Sequence, residues 1–249
     1  MYHTEDMKQN NRLNAAEYEK ASEFLKGAIE FEARILESGM TIREQSKQAY
    51  GHLLDIRMSL MAVANELFAA KSGIPGKTNP SISERLLLVN VFFQGVYPIE
   101  TMISEGQYIK ASAALKQDYE LLARLGEIAA KSHKYGKTPN VKYAPTGTQW
   151  LYGELNDVAH IAKSDLLQTL VAQRIEGVVV GISPVPHFVP DVARNLYELH
   201  VYLLREMCRE LFALNVDLYG SYDGLQQAIL WFSAATKKLE EKEGWKPQR

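Results

Sequence analysis

Two capping boxes commit most of this chain to helix. In Thr41-Ile42-Arg43-Glu44, and again in Ser81-Ile82-Ser83-Glu84, a hydroxyl residue is followed three positions later by a glutamate. That pairing satisfies the orphan N–H groups of a helix start. Each box opens a long segment whose apolar residues recur every three to four positions, the helical period. Gly39 and Gly73 stand where a C′ glycine would end a helix. The pattern predicts helices over about 14–38, 41–72, 81 onward with an interruption at Pro98, 107–133, 149 onward with a break near Lys163-Ser164, 190–217, and a seventh capped by Ser221.

Two stretches do not fit a helix. GIPGKTNP is a loop by its glycines and prolines. GVVVGISPVPHFVP, with three consecutive valines and three prolines, predicts a short extended piece or hairpin near 177–189. No repeat and no low-complexity linker divides the chain. The expected fold is therefore all-α: a single-domain bundle of about seven helices over 13–243, with flexible ends at 1–12 and 244–249.

Composition narrows the function classes. The 249 residues are 46% hydrophobic and 23% charged, with 28 Lys+Arg against 30 Asp+Glu and a net charge of −2. A protein that relies on nonspecific nucleic-acid binding is usually basic, so any such contact here is a local patch. The single cysteine, Cys208, lies in the apolar stretch LLREMCRELFAL and cannot form an internal disulfide. The polar start MYHTEDMKQNN carries no signal-peptide core. The longest apolar run, LLLVNVFFQGVYPI, falls short of the ~20 residues that span a bilayer. A cytoplasmic protein with no membrane partner is expected.

Several polar residues fall where chemistry could use them. On 107–133, Tyr108, Leu115, Tyr119, Leu122, Leu125 and Ile128 share an apolar face, while Lys116, Glu120 and Arg124 line the other side four apart. The plain alternative is a solvated stripe of ion pairs. Next in line, WLYGELNDVAH sets Asn156 and His160 at the border of an apolar face. A histidine there has its charge tunable near neutral pH, although a packed, hydrogen-bonded ring is the simpler reading.

Together ALKQDYELLARL and W-x-Y-x-x-L-N-x-x-x-H resemble a signature of uncharacterised, mostly bacterial helical proteins, some grouped with abortive-infection and HEPN-like (higher eukaryotes and prokaryotes nucleotide-binding) proteins. The resemblance spans roughly residues 106–165. In that group an R-x-x-x-E helix precedes an L-S-x-x-x-H helix. The resemblance puts Lys116 at the arginine, Glu120 at the glutamate, Asn156 at the serine and His160 at the histidine. Lys116 and Asn156 both depart from the pattern, and lysine lacks the bidentate fork of arginine.

Farther on, Arg194-Asn195-Leu196-Tyr197-Glu198-Leu199-His200 resembles the R-x(4–6)-H motif of HEPN ribonucleases. That resemblance implies a metal-independent ribonuclease acting on RNA or a nucleotide in bacterial defence or a toxin system. His200 would move the proton of a ribose hydroxyl and Arg194 would steady the phosphate charge, in a cleft at a homodimer axis. Against it, His200 falls among Val192, Leu196, Leu203 and Met207, a core-like face, and Arg194 points roughly 120° away.

Two further patterns stand in the sequence. His52–Asp55 and Asp157–His160 each set a histidine and an aspartate one turn apart, but no Glu-x-x-His is present. No metal and no cofactor is expected. Between Glu127 and Glu154 there is no acidic residue, while Lys131, His133, Lys134, Lys137 and Lys142 interleave with Tyr135, Tyr143 and Trp150. Cations with stacking aromatics suit a single-stranded nucleic acid or a nucleotide, through Lys134 and Lys137 in particular. The competing class is a non-catalytic interaction module that binds a partner protein, its polar clusters only fixing helix register.

Overall fold

A computed structural model describes residues 15–134, 136–159, 164–175 and 178–243. Among these residues the chain forms eight α-helices and one antiparallel hairpin: α1 (Ala15–Tyr50), α2 (His52–Ala69), α3 (Pro80–Ser104), α4 (Tyr108–Ala129), α5 (Gln149–Ala159), α6 (Ser164–Val171), β1 (Ala172–Ile175), β2 (Val178–Ile182), α7 (Pro190–Tyr219) and α8 (Asp223–Glu243). A 3-10 turn, Val141–Tyr143, sits between α4 and α5. The all-α architecture is the one the sequence pattern predicts.

The centre of the bundle is α7. Val201 through Cys208 are buried without a break, so this span is covered all round. It packs against α1, α2, α3 and α4. Cys208 is fully buried, its Sγ 3.6 Å from the Leu60 carbonyl. Tyr50 of α1 and Tyr197 of α7 stack with centroids 3.7 Å apart. The Tyr197 hydroxyl donates to Glu100 of α3 at 3.4 Å, and Glu100 pairs with Arg57 of α2 at 2.5 Å. Four helices are thus joined through one polar knot.

The first two helices break elsewhere than the capping box indicates. α1 runs through Gly39 and Thr41 and ends only at Tyr50, where Gly51 adopts a positive φ of 52°. Thr41 caps nothing; its hydroxyl donates back to the Glu37 carbonyl at 3.0 Å. Gly39 is buried against Glu105. The reason lies in packing: Ile42, Ser46 and Tyr50 reach the core only if the helix continues. Likewise α3 is capped by Asn79, whose side chain accepts from the Ile82 N–H at 2.9 Å with Pro80 in the first turn, and not by Ser81.

Pro98 does not split α3. Its missing N–H strands only the carbonyl of the exposed Gln94, and the helix reaches 25 residues. At that length, with mean hydropathy 1.4 over its most apolar window, α3 alone among the described helices is long and apolar enough to cross a membrane. This corrects the expectation that no apolar run is long enough. Here α3 packs against α4 and α7. The extended segment starts earlier than predicted: Ala172–Ile175 pairs with Val178–Ile182, with a register shift at Gln173/Arg174.

Candidate functional site

The α7 pair does not form a site. Arg194 spends its guanidinium on the end of α1, donating to the Ala49 carbonyl at 2.6 Å. His200 is 0% exposed, and neither ring nitrogen has a hydrogen-bond partner. Burial, with Arg57 adding to it, pushes its pKa down to about 3. The expectation that Arg194 and His200 converge on a cleft open to solvent is therefore corrected: a sealed imidazole cannot exchange a proton with a ribose. The core-like surroundings read from the sequence describe the position.

On α4, Lys116 and Glu120 pair at 3.8 Å, and Lys116 lies 5.3 Å over the ring of Tyr152 on α5. The Tyr152 hydroxyl donates to Glu120 at 3.2 Å. This cluster ties α5 to α4. Asn156 is half-buried on α5. His160 lies outside the described residues, and with it the pairing of Asp157 with His160. Asp55 pairs with Lys238 of α8 at 3.2 Å. Among the described residues no group of three metal-ligating side chains gathers.

The lysine-rich loop is fastened to α4 from within. Arg124 donates to the main-chain carbonyls of Lys134 and Lys137 and pairs with Glu127 at 2.7 Å. The buried Glu127 carboxylate accepts the Asn140 N–H at 2.7 Å. Gly126 lets the turn at Tyr143 rest on α4, since any Cβ there would strike the Tyr143 carbonyl. The result is a concavity of about 390 Å³, lined by Arg124, Ser132, Lys134, Lys137, Lys142 and Tyr143 among others. Hydrogen bonds with Ser132 and Lys142 hold the Tyr143 phenol below its ordinary pKa.

Arg124 is also a wall of a second space. An open groove of about 530 Å³ runs between α3 and α4, lined by Leu88, Val91, Gly95, Pro98, Asp118 and Glu120 with several more apolar side chains. Asp118 is 4% exposed and its Oδ2 has no hydrogen-bond partner. Burial alone pushes its carboxyl up to about 8. The sequence carried the signal: Asp118 sits one turn from Leu115 and Leu122, an acid on the apolar face of α4.

A second feature missed from the sequence lies on α1. Tyr18, Leu25, Ile29, Leu36 and Met40 are spaced 7, 4, 7 and 4 apart and are each between 60% and 69% exposed. Phe24, beside them, is 81% exposed. The spacing is legible in the sequence; that nothing among the described residues covers it is not.

No protein-family model, no curated protein and no solved structure matches the chain. The fold is an all-α bundle with a small hairpin.

Proposed function

We propose that the protein is a non-catalytic helical interaction module, and that its partner is a protein offering one amphipathic helix to α1. The observation that carries this is the exposed stripe from Tyr18 to Met40, about 33 Å long at helical rise. Alternating steps of seven and four give an eleven-residue period that keeps these side chains on one face, the pattern by which helices pair in a right-handed supercoil. A stripe of that length left open to water costs free energy that a partner helix recovers. Glu19, Glu30 and Glu37 line one flank of the seam with Lys26 among them, so the matching helix carries lysine or arginine on that flank.

The test uses designed coiled-coil peptides with a leucine seam. A lysine-flanked peptide binds the full chain in fluorescence anisotropy, and a glutamate-flanked one binds at least tenfold more weakly. The combined L25E, I29E and L36E substitutions, all at exposed positions, abolish binding while leaving the helical circular dichroism intact. Equal binding of both peptides, or binding that survives the triple substitution, overturns the reading. Self-association of the unmodified chain that the triple substitution removes gives the seam to a second copy instead of a partner protein.

Action on RNA or a nucleotide is the other reading. One observation favours it: Lys134, Lys137 and Lys142 rim a concavity whose backbone is pinned by Arg124 and Glu127. It makes no use of Arg194 or His200. If it holds, single-stranded poly(U) binds in a salt-dependent manner and the K134E/K137E variant loses most of that affinity; no binding at low salt ends it.

A further inference from the structure

The groove between α3 and α4 combines three properties of a small-molecule site. It is large enough for a small molecule. Its α3 wall is apolar, with Leu88, Val91, Ile99 and Met102, and faces Ala114 and Leu121 of α4, where Gln117, Glu120 and Arg124 add polar groups. Among its lining stands the carboxyl of Asp118, only 4% exposed and with an oxygen that has nothing to bond. Gly95 borders that carboxyl: a Cβ there would lie 3.8 Å from Asp118 Oδ1, in ordinary contact.

Nothing in the bundle's packing explains an aspartate at this position. Its helical neighbours Leu115 and Leu122 are core residues. Asp118 has no ion pair among the described residues, and burial is the only cause acting on its carboxyl. The other ionisable groups lining the groove are already engaged: Glu120 with Lys116 and Tyr152, Arg124 with Glu127 and the loop carbonyls. α3 contributes no charged residue to the lining.

The geometry points to a binding site for a small organic cation, an apolar or aromatic body carrying a single amine, with the body in the α3–α4 groove and the ammonium on Asp118. Such a ligand donates to Oδ1, the oxygen on the Gly95 side of the groove, while Oδ2 is sealed, and a carboxylate–ammonium bond in apolar surroundings is a strong one. The carboxyl is mostly protonated before binding at neutral pH, since burial holds its pKa near 8. On binding, its O–H bond breaks, the proton passes to solvent and the ammonium takes its place as the partner of the carboxylate. This site is independent of the α1 seam, and neither reading depends on the other.

Phenethylamine and tryptamine are the probes, with 2-phenylethanol as the neutral counterpart. In methyl-detected NMR titrations of the full chain, both amines shift the signals of Leu88, Val91, Met102 and Leu121, and the alcohol binds at least tenfold more weakly. Asp118→Asn keeps the shape of the neutral acid; it loses at least tenfold of the amine affinity and leaves the alcohol unchanged. Gly95→Phe fills the groove and removes binding of all three. Calorimetry in buffers of different ionisation heat shows net proton release with the amines and none with Asp118→Asn. Absence of amine binding to the unmodified chain overturns the site. Amine binding that Asp118→Asn leaves intact overturns the role of the carboxyl, and the proposal with it.

Discussion

His200 occupies the middle of the bundle with both ring nitrogens unpaired, at a position where a leucine would fit the surroundings. An unsatisfied buried polar group costs about 1–3 kcal/mol, so His200→Leu stabilises the chain at pH 7 by an amount within that range. The pH dependence follows from sign. Folded, the imidazole stays neutral down to about 3, while unfolded it takes up a proton below 6.5. Its contribution therefore lowers stability as pH falls from 6.5 towards 3, by up to about 1.4 kcal/mol per pH unit. Asp118 works in the opposite sense: unfolded it loses its proton above 3.8, folded only near 8. Its contribution lowers stability as pH rises from about 4 to 8, and Glu210, also raised by burial, acts in the same direction. Between about 4 and 6.5 the His200 and Asp118 slopes offset each other. Urea denaturation across pH checks this: His200→Leu is more stable at pH 7 and loses its share of the acid limb. A variant that is no more stable, with an unchanged acid limb, rules the account out.

Among the elements, the junction of α1 and α2 shows what local pattern leaves open. The Thr41 box and Gly39 are valid helix signals, yet three core residues beyond them hold the helix straight, because burying Ile42 and Tyr50 outweighs a cap worth about 1 kcal/mol. The break falls instead at Gly51, with φ 52° and ψ −124°, a conformation that suits glycine. A Cβ there meets nothing within 4 Å. Gly51→Ala therefore isolates backbone strain, and we expect a loss of about 1–3 kcal/mol by chemical denaturation; a neutral result would show that the junction relaxes. The hairpin misled for a related reason. Ala172–Ile175 reads as the tail of an amphipathic helix, and only its pairing with the valines of β2 makes it a strand.

For the molecule as a whole, the fold was legible because helical period, breakers and loop lengths are local. The site was legible only where one helix determined it. His200 among leucines already read as core, and the cationic character of the 131–142 loop needed no tertiary information. The groove needed it: Asp118 on the apolar face of α4 is visible in the sequence, but that α3 leaves a groove beside it, bordered by Gly95, is not. The α1 seam needed it too, since an apolar stripe is ordinarily covered by the rest of the fold. Here only the final turns, from Gly39 onward, are buried. Unwinding α1 from its N-terminal end therefore uncovers little that water does not already touch. One continuous helix then spans the full range of local durability: amide protons near Tyr18 exchange within easy reach of fraying, while those beyond Ile42 wait for the bundle itself to open.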